Sequence, residues 1–309
     1  MEMDKSKYPS LYCSADAASL RAQSTYILLH KVYLGSLVLS SAISAIASIG
    51  YVHVNTYLYS VLAAVLVIGF IILWMTRARQ DDKIWFDGRA VAESVKCATW
   101  KFMMRAQPFT DDSKAERLFI SNLKEIREAR PHLGRHLAAA NVGEGATITE
   151  FMKEMRGSFT VERQGFYRDE RIRDQKAWYA TKAKSNADSG LTWFWIMAFL
   201  QIAIVVLAIV QAASAGFGIN PIPIVMTSVA AIAAWSQMKR HSELSQSYAL
   251  AAQELEEIEA IAGSQMSEEE FSQLVEQSED SISREHTLWC ARRDVRLSKA
   301  GGTSLKKEG

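Results

Sequence analysis

Two blocks of this chain carry almost no charge, and nothing else in the sequence restricts its fold as much. Val32 to Gln80 is interrupted only by Arg77 and Arg79, and Gly190 to Gln237 by no charged residue at all. Each block holds two apolar runs parted by a short break: about 33–54 and 58–75 in the first, about 191–213 and 219–238 in the second. A helix needs roughly 20 apolar residues to cross the hydrocarbon core of a bilayer. Helices buried in a soluble domain rarely stay uncharged on every face over such lengths. The expected fold class is an all-α membrane protein. Its four transmembrane helices would form two hairpins, and long helices would extend them into a cytoplasmic helical bundle. Tyr33, Tyr51, Tyr57, Tyr59, Trp74, Trp193, Trp195 and Trp235 lie near the run ends, where amphipathic rings favour the interface.

The flanks orient the hairpins. The two breaks, "NTY" and "SAGFGINPIP", are uncharged, while the other ends carry Arg21, Lys31, Arg77, Arg79, Lys83, Lys176, Lys182, Lys184, Lys239 and Arg240. Positive flanks stay cytoplasmic. The expectation is a multi-pass membrane protein with both termini and the middle in the cytoplasm. The N-terminus opens polar, and the first apolar run starts too late for a secretory signal. Cys13, Cys97 and Cys290 would then lie in a reducing compartment as ordinary thiols.

Outside the runs the sequence reads as helix. Ser14 is a candidate N-cap for the helix entering the first span. The segment after the second span continues without proline to Pro108. "SKAERLFISNLKEIREARPHL" is an amphipathic helix ending near Pro131, and Thr147 to Glu150 resembles a capping box. From Thr160 a charged helix runs into the third span. After the fourth span a helix continues inward, with a break near Gly263. Arg77 to Asp188 holds 22 basic and 17 acidic residues, whereas Lys239 onward holds 9 basic and 14 acidic. The middle and tail are thus expected to pack on each other, within one subunit or between subunits.

The chain reads as one unit used twice. "RAQSTY" precedes the first hairpin and "RDQKAWY" the second, aligning Gln23 with Gln175 and Tyr26 with Trp178. Trp85 lies ten residues past Met75, and Tyr248 ten past Met238. The implied domains are an N-terminal tail (1–13), a first two-span unit (14–142), a linker with a short helix (143–159), a second two-span unit (160–297) and a disordered tail (298–309).

"WFDGRAVAESVKCATWKFMMRAQPF", "RIRDQKAWYATKAKSNA" and "SISREHTLW" together resemble the SLATT family. These are bacterial two-span proteins named for association with SMODS nucleotidyltransferases and SLOG sensor domains. The resemblance covers most of residues 15–295 as two tandem copies, and the first copy lacks a clear counterpart of Glu285-His286-x-x-Trp289. It marks Gln23, Trp85, Glu93, Gln175, Trp178, Tyr179, Tyr248, Glu285 and Trp289 as family-motif residues of structural role. It implies a membrane effector of an antiviral, abortive-infection system. A sensor or nucleotidyltransferase encoded nearby would detect infection, often through a nucleotide signal, and the membrane protein would then perforate the inner membrane.

No pattern for catalysis stands out, and no cofactor or metal is expected. "NVGEGA" lacks the Gly-Lys-Ser/Thr ending of a phosphate-binding loop. His132 and His136 are spaced i, i+4, but no Glu follows His132 and no third ligand is evident. Glu285 and His286 are adjacent and so face different sides of a helix. The Arg168–Lys184 run interleaves Asp169, Glu170 and Asp174, giving a mixed-charge face rather than a nucleic-acid surface. One membrane feature remains. Ser36, Ser40, Ser44 and Ser48 recur every fourth residue along the first span, on nearly one helix face. Small residues let membrane helices approach closely, so the stripe reads first as packing and second as a pore wall; one face can serve both in different states. No Asp, Glu, Lys or Arg lies in a span core, where coupled transporters usually carry such residues.

The expected function is therefore a non-enzymatic, homo-oligomeric, pore-forming effector. The alternatives are a non-conducting membrane scaffold anchoring a partner and, third, a small-solute transporter. The expected partners are the lipid bilayer, other copies of the chain and a sensor protein, with no nucleic acid.

Overall fold

A computed structural model describes residues 3–48, 52–138, 145–213 and 219–283; Glu285, Trp289 and Cys290 lie outside them. The described residues form helices and connecting turns, with no strand among them. The long elements are α1 (Ser10–Ala47), α2 (Val52–Arg79), α3 (Asp81–Met103), α8 (Asp174–Ala213), α9 (Ile222–Lys239) and α10 (His241–Ala262). Shorter ones are α4 (Ala115–Glu128), α5 (Gly134–Ala138), α6 (Glu150–Gly157) and α7 (Thr160–Tyr167), and a helix over 268–283 is α11. A π-helical segment, Arg168–Arg173, joins α7 to α8.

Among the described residues, three helical stretches are long and apolar enough to cross a membrane: Ser10–Ala47, Asn55–Met103 and Thr160–Ala213. The fourth apolar run forms α9, which has 18 residues and ends in Gln237 and Lys239. At 1.5 Å per residue that is about 27 Å, short of a full core thickness.

The local helix ends differ from the sequence expectations at several points. α1 begins at Ser10, directly after Pro9, so Ser14 is an interior helix residue rather than a cap. The segment after the second run does not continue unbroken to Pro108: Gln80, with φ 50°, separates α2 from α3, and α3 ends at Met103. Arg240, with φ 52°, separates α9 from α10 in the same way. Each copy's second apolar helix thus ends on a left-handed residue, the conformation that commonly closes a helix. The cap of α6 is Thr149, two residues later than expected; its hydroxyl accepts from Met152 N at 3.3 Å. A reciprocal capping box opens α11 instead, where Ser267 N donates to Glu270 Oε2 (2.9 Å) and Glu270 N to Ser267 Oγ (3.3 Å).

The chain divides into two compact units, Met1–Ala22, Asp82–Thr181 and Ser247–Gly309 in one and Gln23–Asp81 and Lys182–Gln246 in the other. The first, the polar unit, has a dense core of Trp100, Phe102, Met103, Met104, Phe119, Met152, Tyr167 and Phe271. Phe102, Phe109 and Phe119 pack as a ring trio with centroids 4.8–6.0 Å apart. Two buried arginines bond the carbonyls at the end of α3 and in the turn just beyond it. Arg156 donates to Phe102 O (2.6 Å) and Phe109 O (2.8 Å), and Arg163 to Met104 O (2.9 Å). Cations are favoured at that end of a helix dipole. α1 and α3 approach closely at Gly88, where a Cβ would lie 3.2 Å from Ser19 N. Ser19 Oγ donates to Trp85 O there, at 2.9 Å.

Basic middle and acidic tail do meet in this unit. Arg163 pairs with Glu268 (2.6 Å), Arg171 with Glu279 (2.6 Å) and Lys101 with Asp280 (2.8 Å). Arg173 and Lys176 both reach Glu259 at 2.6 Å.

The second, apolar unit presents its large side chains outward: Phe70 is 68% and Phe199 72% exposed, with Trp74, Trp195, Ile202, Val205 and Ile209 also exposed. A water-soluble protein rarely leaves so much apolar surface open, whereas a lipid-facing helix must. Its hydroxyls bond back along their own helices, as Thr76 to Ile72 O and Thr227 to Pro223 O (2.9 and 2.8 Å). Each of these two hydroxyl hydrogens is thereby satisfied within its own helix rather than offered to lipid.

Candidate functional site

Two places combine polar side chains with open space or surface, one in each unit. In the polar unit the π segment carries the chemistry. A π turn is wider than an α turn and is frequent at functional positions. Here Tyr167, Arg171 and Ile172 are all fully buried. Arg171 donates from Nε to Glu279 Oε1 (2.8 Å) and from Nη2 to Glu279 Oε2 (2.6 Å), and Tyr167 donates its hydroxyl to Oε1 (3.0 Å). Nη2 also lies 3.7 Å from Cys97 Sγ, and the guanidinium sits 6.0 Å over the Trp100 ring. Trp100 Nε1 donates to Tyr8 Oη at 3.1 Å. Among the described residues, Arg171 Nη1 is buried without a hydrogen-bond partner.

Burial sets the protonation of this group. It pushes the Tyr167 phenol and the Cys97 thiol well above their ordinary values, with the Glu279 carboxylate adding to the push. Both therefore keep their protons at neutral pH, and Cys97 is no thiolate nucleophile. Burial opposes charge on Arg171, but the Glu279 carboxylate outweighs it and holds the guanidinium firmly protonated.

A cavity of about 630 Å³ opens beside the network. Tyr8 and Tyr12 of the N-terminal segment form one wall, their rings 4.5 Å apart. Lys96 of α3, Arg171 of the π segment and Gln175 at the start of α8 also line it, together with the carboxylates Asp169, Glu170 and Asp174 and further residues of the N-terminal segment. Burial lowers the Lys96 pKa, Arg171 adding to the effect, and raises that of Tyr12 to about 12.

The serine face belongs to the apolar unit, and the structure divides it. Ser40 is buried and Ser36 half-buried, while Ser44 and Ser48 are exposed. Ser36 packs against α2 at Gly69, where a Cβ would meet its Oγ at 2.9 Å. Ser36, Ser40 and Ser48 donate to Tyr33 O, Ser36 O and Ala45 O at 2.7, 2.8 and 2.7 Å.

The family-motif residues scatter across both units. Trp178, Tyr179 and Tyr248 form one aromatic cluster with centroids 5.2–5.7 Å apart. Glu93 pairs with Arg89 at 2.6 Å, Trp85 stacks on Phe86 at 4.9 Å and Gln175 Nε2 donates to Asp174 Oδ2 at 3.0 Å. Gln23 is half-buried on α1. His132 Nε2 lies 2.6 Å from Asp87 Oδ2, and no group of metal-binding side chains occurs among the described residues. Sequence reasoning missed the buried network, because it read Arg168–Lys184 only as a mixed-charge helix face. One signal was available: Tyr167 and Arg171 stand four apart, and an aromatic at that spacing implies a shared inward face.

A helical, polar unit with a packed core and a second unit of outward-facing apolar helices define a membrane protein with a large extramembrane part. The chain belongs to the SLATT family. Residues 9–164 match the SMODS and SLOG-associating 2TM effector domain 3, and residues 167–289 match the SMODS and SLOG-associating 2TM effector domain 1, so two SLATT domains stand in tandem. No curated protein and no solved structure matches it. The border between the domains falls just before the π segment, so Lys96, Cys97 and Trp100 come from the first domain and Arg171 and Glu279 from the second.

Proposed function

We propose that this protein is a pore-forming membrane effector of a bacterial antiviral system. A partner sensor or nucleotide signal activates it, and it then depolarises the inner membrane. In this reading it is a non-enzymatic homo-oligomer with four spans, about 33–54, 58–75, 191–213 and 219–238, arranged as two hairpins with both termini in the cytoplasm. Membership of a two-transmembrane effector family supports the effector role. The observation that carries the pore is the pair Ser44, near the end of α1, and Ser48, just past it, both polar and exposed at the end of an apolar run. In an oligomer that face suits another subunit or a water path better than lipid. A pore lined by hydroxyls without a ring of charge discriminates little between ions, which serves to collapse a gradient.

The test is purified protein in liposomes holding a sealed dye or a potential probe. Leak that depends on the activating partner, found by surveying neighbouring genes, supports the pore. A complex that binds its partner and stays tight identifies a scaffold instead.

A further inference from the structure

We propose that the apolar unit holds an anionic phospholipid by its phosphate, on a seat made by Lys31, Trp235 and Lys239. Lys31 stands just before the first apolar run and Lys239 just after the fourth. Both ammonium groups lie over one indole: Lys31 Nζ is 5.5 Å and Lys239 Nζ 5.1 Å from the Trp235 ring centroid. Those two distances bound the separation of the charges, and each ammonium sits on a flexible four-carbon stem, so one headgroup lies within reach of both. Neither lysine makes a hydrogen bond or ion pair among the described residues, and Lys31 repels Lys239 through the field. A ring face attracts a cation without neutralising it. Two like charges thus gather on one ring with no counter-ion, and a bound anion supplies one.

The first hairpin ends with its counter-ion built in. α2 and α9 each end beside a left-handed residue, Gln80 and Arg240. Arg79, just before Gln80, pairs with Asp81, just after it, at 2.8 Å. Lys239 and His241 hold the matching places around Arg240, so a histidine stands where the first hairpin has its carboxylate. The carboxylate nearest to Lys239 in sequence, Glu243, is taken by Arg240. The charge at the end of α9 is left for a partner outside the chain.

Exposure and position select that partner. Lys31 is exposed, and Trp235 and Lys239 are half-buried, so the seat opens outward from the apolar unit. Tryptophan at the end of a span settles at headgroup level, and a lysine stem lies along apolar surface to bring its ammonium there. Phosphates fill that level, and basic places between spans on the cytoplasmic side take anionic headgroups. A lipid also lays its chains along the exposed apolar side chains of this unit, which a soluble phosphate cannot do. The site rests on the proposed four-span placement of the runs, and it holds whether or not the protein conducts.

The experiment is displacement of a tail-labelled phosphatidylglycerol from the full chain in neutral detergent, with phosphatidylglycerol, phosphatidylcholine and glycerol 3-phosphate as competitors. In wild type, phosphatidylglycerol is expected to compete at least about tenfold better than phosphatidylcholine. Glycerol 3-phosphate is expected not to compete at about 10 mM, roughly ten times a weak-site Kd. Lys31→Gln, Lys239→Gln is expected to erase the preference and to melt no lower than wild type, because it removes charges that repel. Lys31→Arg, Lys239→Arg is expected to keep the preference within about threefold, and Trp235→Leu to weaken phosphatidylglycerol but not phosphatidylcholine. The seat is overturned if wild type shows no preference or if the double glutamine variant keeps it. A preference unmoved by Trp235→Leu also overturns it, in favour of a diffuse basic rim, and displacement by glycerol 3-phosphate does so in favour of a soluble-anion site. One arm needs no variant: the wild-type preference is expected to fade between about 0.05 and about 0.5 M sodium chloride, and a preference unmoved by salt overturns the charge contact. Labelling of Lys31→Cys and Lys239→Cys in sealed vesicles, in a chain whose own cysteines are replaced by serine, separates this reading from the one it rests on. Labels on opposite sides refute the four-span placement, and labels on one side without lipid preference refute the seat alone.

Discussion

Arg171 and Glu279 meet through two charge-assisted hydrogen bonds, 2.8 and 2.6 Å long, with neither side chain exposed to solvent. Removing one partner of such a pair strands the other charge in a low dielectric, at a cost of about 3–5 kcal/mol. Glu279→Gln and Arg171→Met are each expected to lower the melting temperature sharply. The double change Arg171→Met, Glu279→Leu is expected to lose less than either, because it leaves no buried charge. Circular dichroism melts in detergent read this directly. A double variant as unstable as the sum of the singles would mean that the two residues do not act as a unit.

Two glycines should respond in opposite directions. A side chain at Gly88 runs into the Ser19 backbone 3.2 Å away, whereas Gly165 of α7 has nothing within 4 Å. Gly88→Leu is expected to cost about 1–3 kcal/mol by forcing α1 and α3 apart. Gly165→Ala is expected to gain up to ~1 kcal/mol from helix propensity. Denaturant midpoints of the two variants check the contrast, and a neutral Gly88→Leu would refute the close approach.

Acid should loosen the polar unit through its exposed carboxylates. Hydrogen bonds from Lys176 and Arg173 hold Glu259 below its ordinary value, and those from Ser113 and Lys114 hold Asp111 down to about 2. A lowered folded-state pKa means stability that is fully present above the ordinary carboxylate range, about pH 4–4.5. It is lost as pH falls through the lower folded value. The melting temperature should therefore be flat near neutrality and decline below about pH 4.5. Glu259→Gln should show a shallower decline, and an unchanged slope would remove Glu259 from this account.

The apolar helices were legible in the sequence because the absence of charge over whole helical turns has one physical explanation. Opposite charge on the middle and tail was also legible as packing, and Arg163–Glu268 and Lys101–Asp280 realise it. Helix ends were harder. Gln80 and Arg240 close helices in the left-handed region without glycine, and Ser267-x-x-Glu270 makes the capping box that Thr147 and Glu150 do not. Local propensity leaves several caps equally open, and tertiary contacts choose among them. The cavity was hidden for a related reason. Arg171 looks like any exposed basic residue until the π segment turns it toward a carboxylate more than a hundred positions away in sequence.

The serine stripe gives the sharpest functional prediction once its members are separated. Ser40 is buried and bonded to Ser36 O at 2.8 Å, and Ser36 fits against Gly69. Leucine at Ser40 brings added volume into a packed contact, so Ser40→Leu is expected to disturb the fold or the assembly. Ser44 and Ser48 face outward, and leucine there makes the helix more compatible with lipid rather than less. Ser44→Leu, Ser48→Leu is thus expected to insert normally and keep its oligomer size. If the exposed serines line the water path, the same change narrows and dries it, because hydrophobic constrictions close by dewetting. Activated dye release from liposomes is then expected to fall at least about tenfold, a change of ~1.4 kcal/mol in the conducting equilibrium, while Ser40→Leu loses release together with the oligomer. Full release from the Ser44, Ser48 double variant would take these residues out of the pore wall and leave the stripe to helix packing alone.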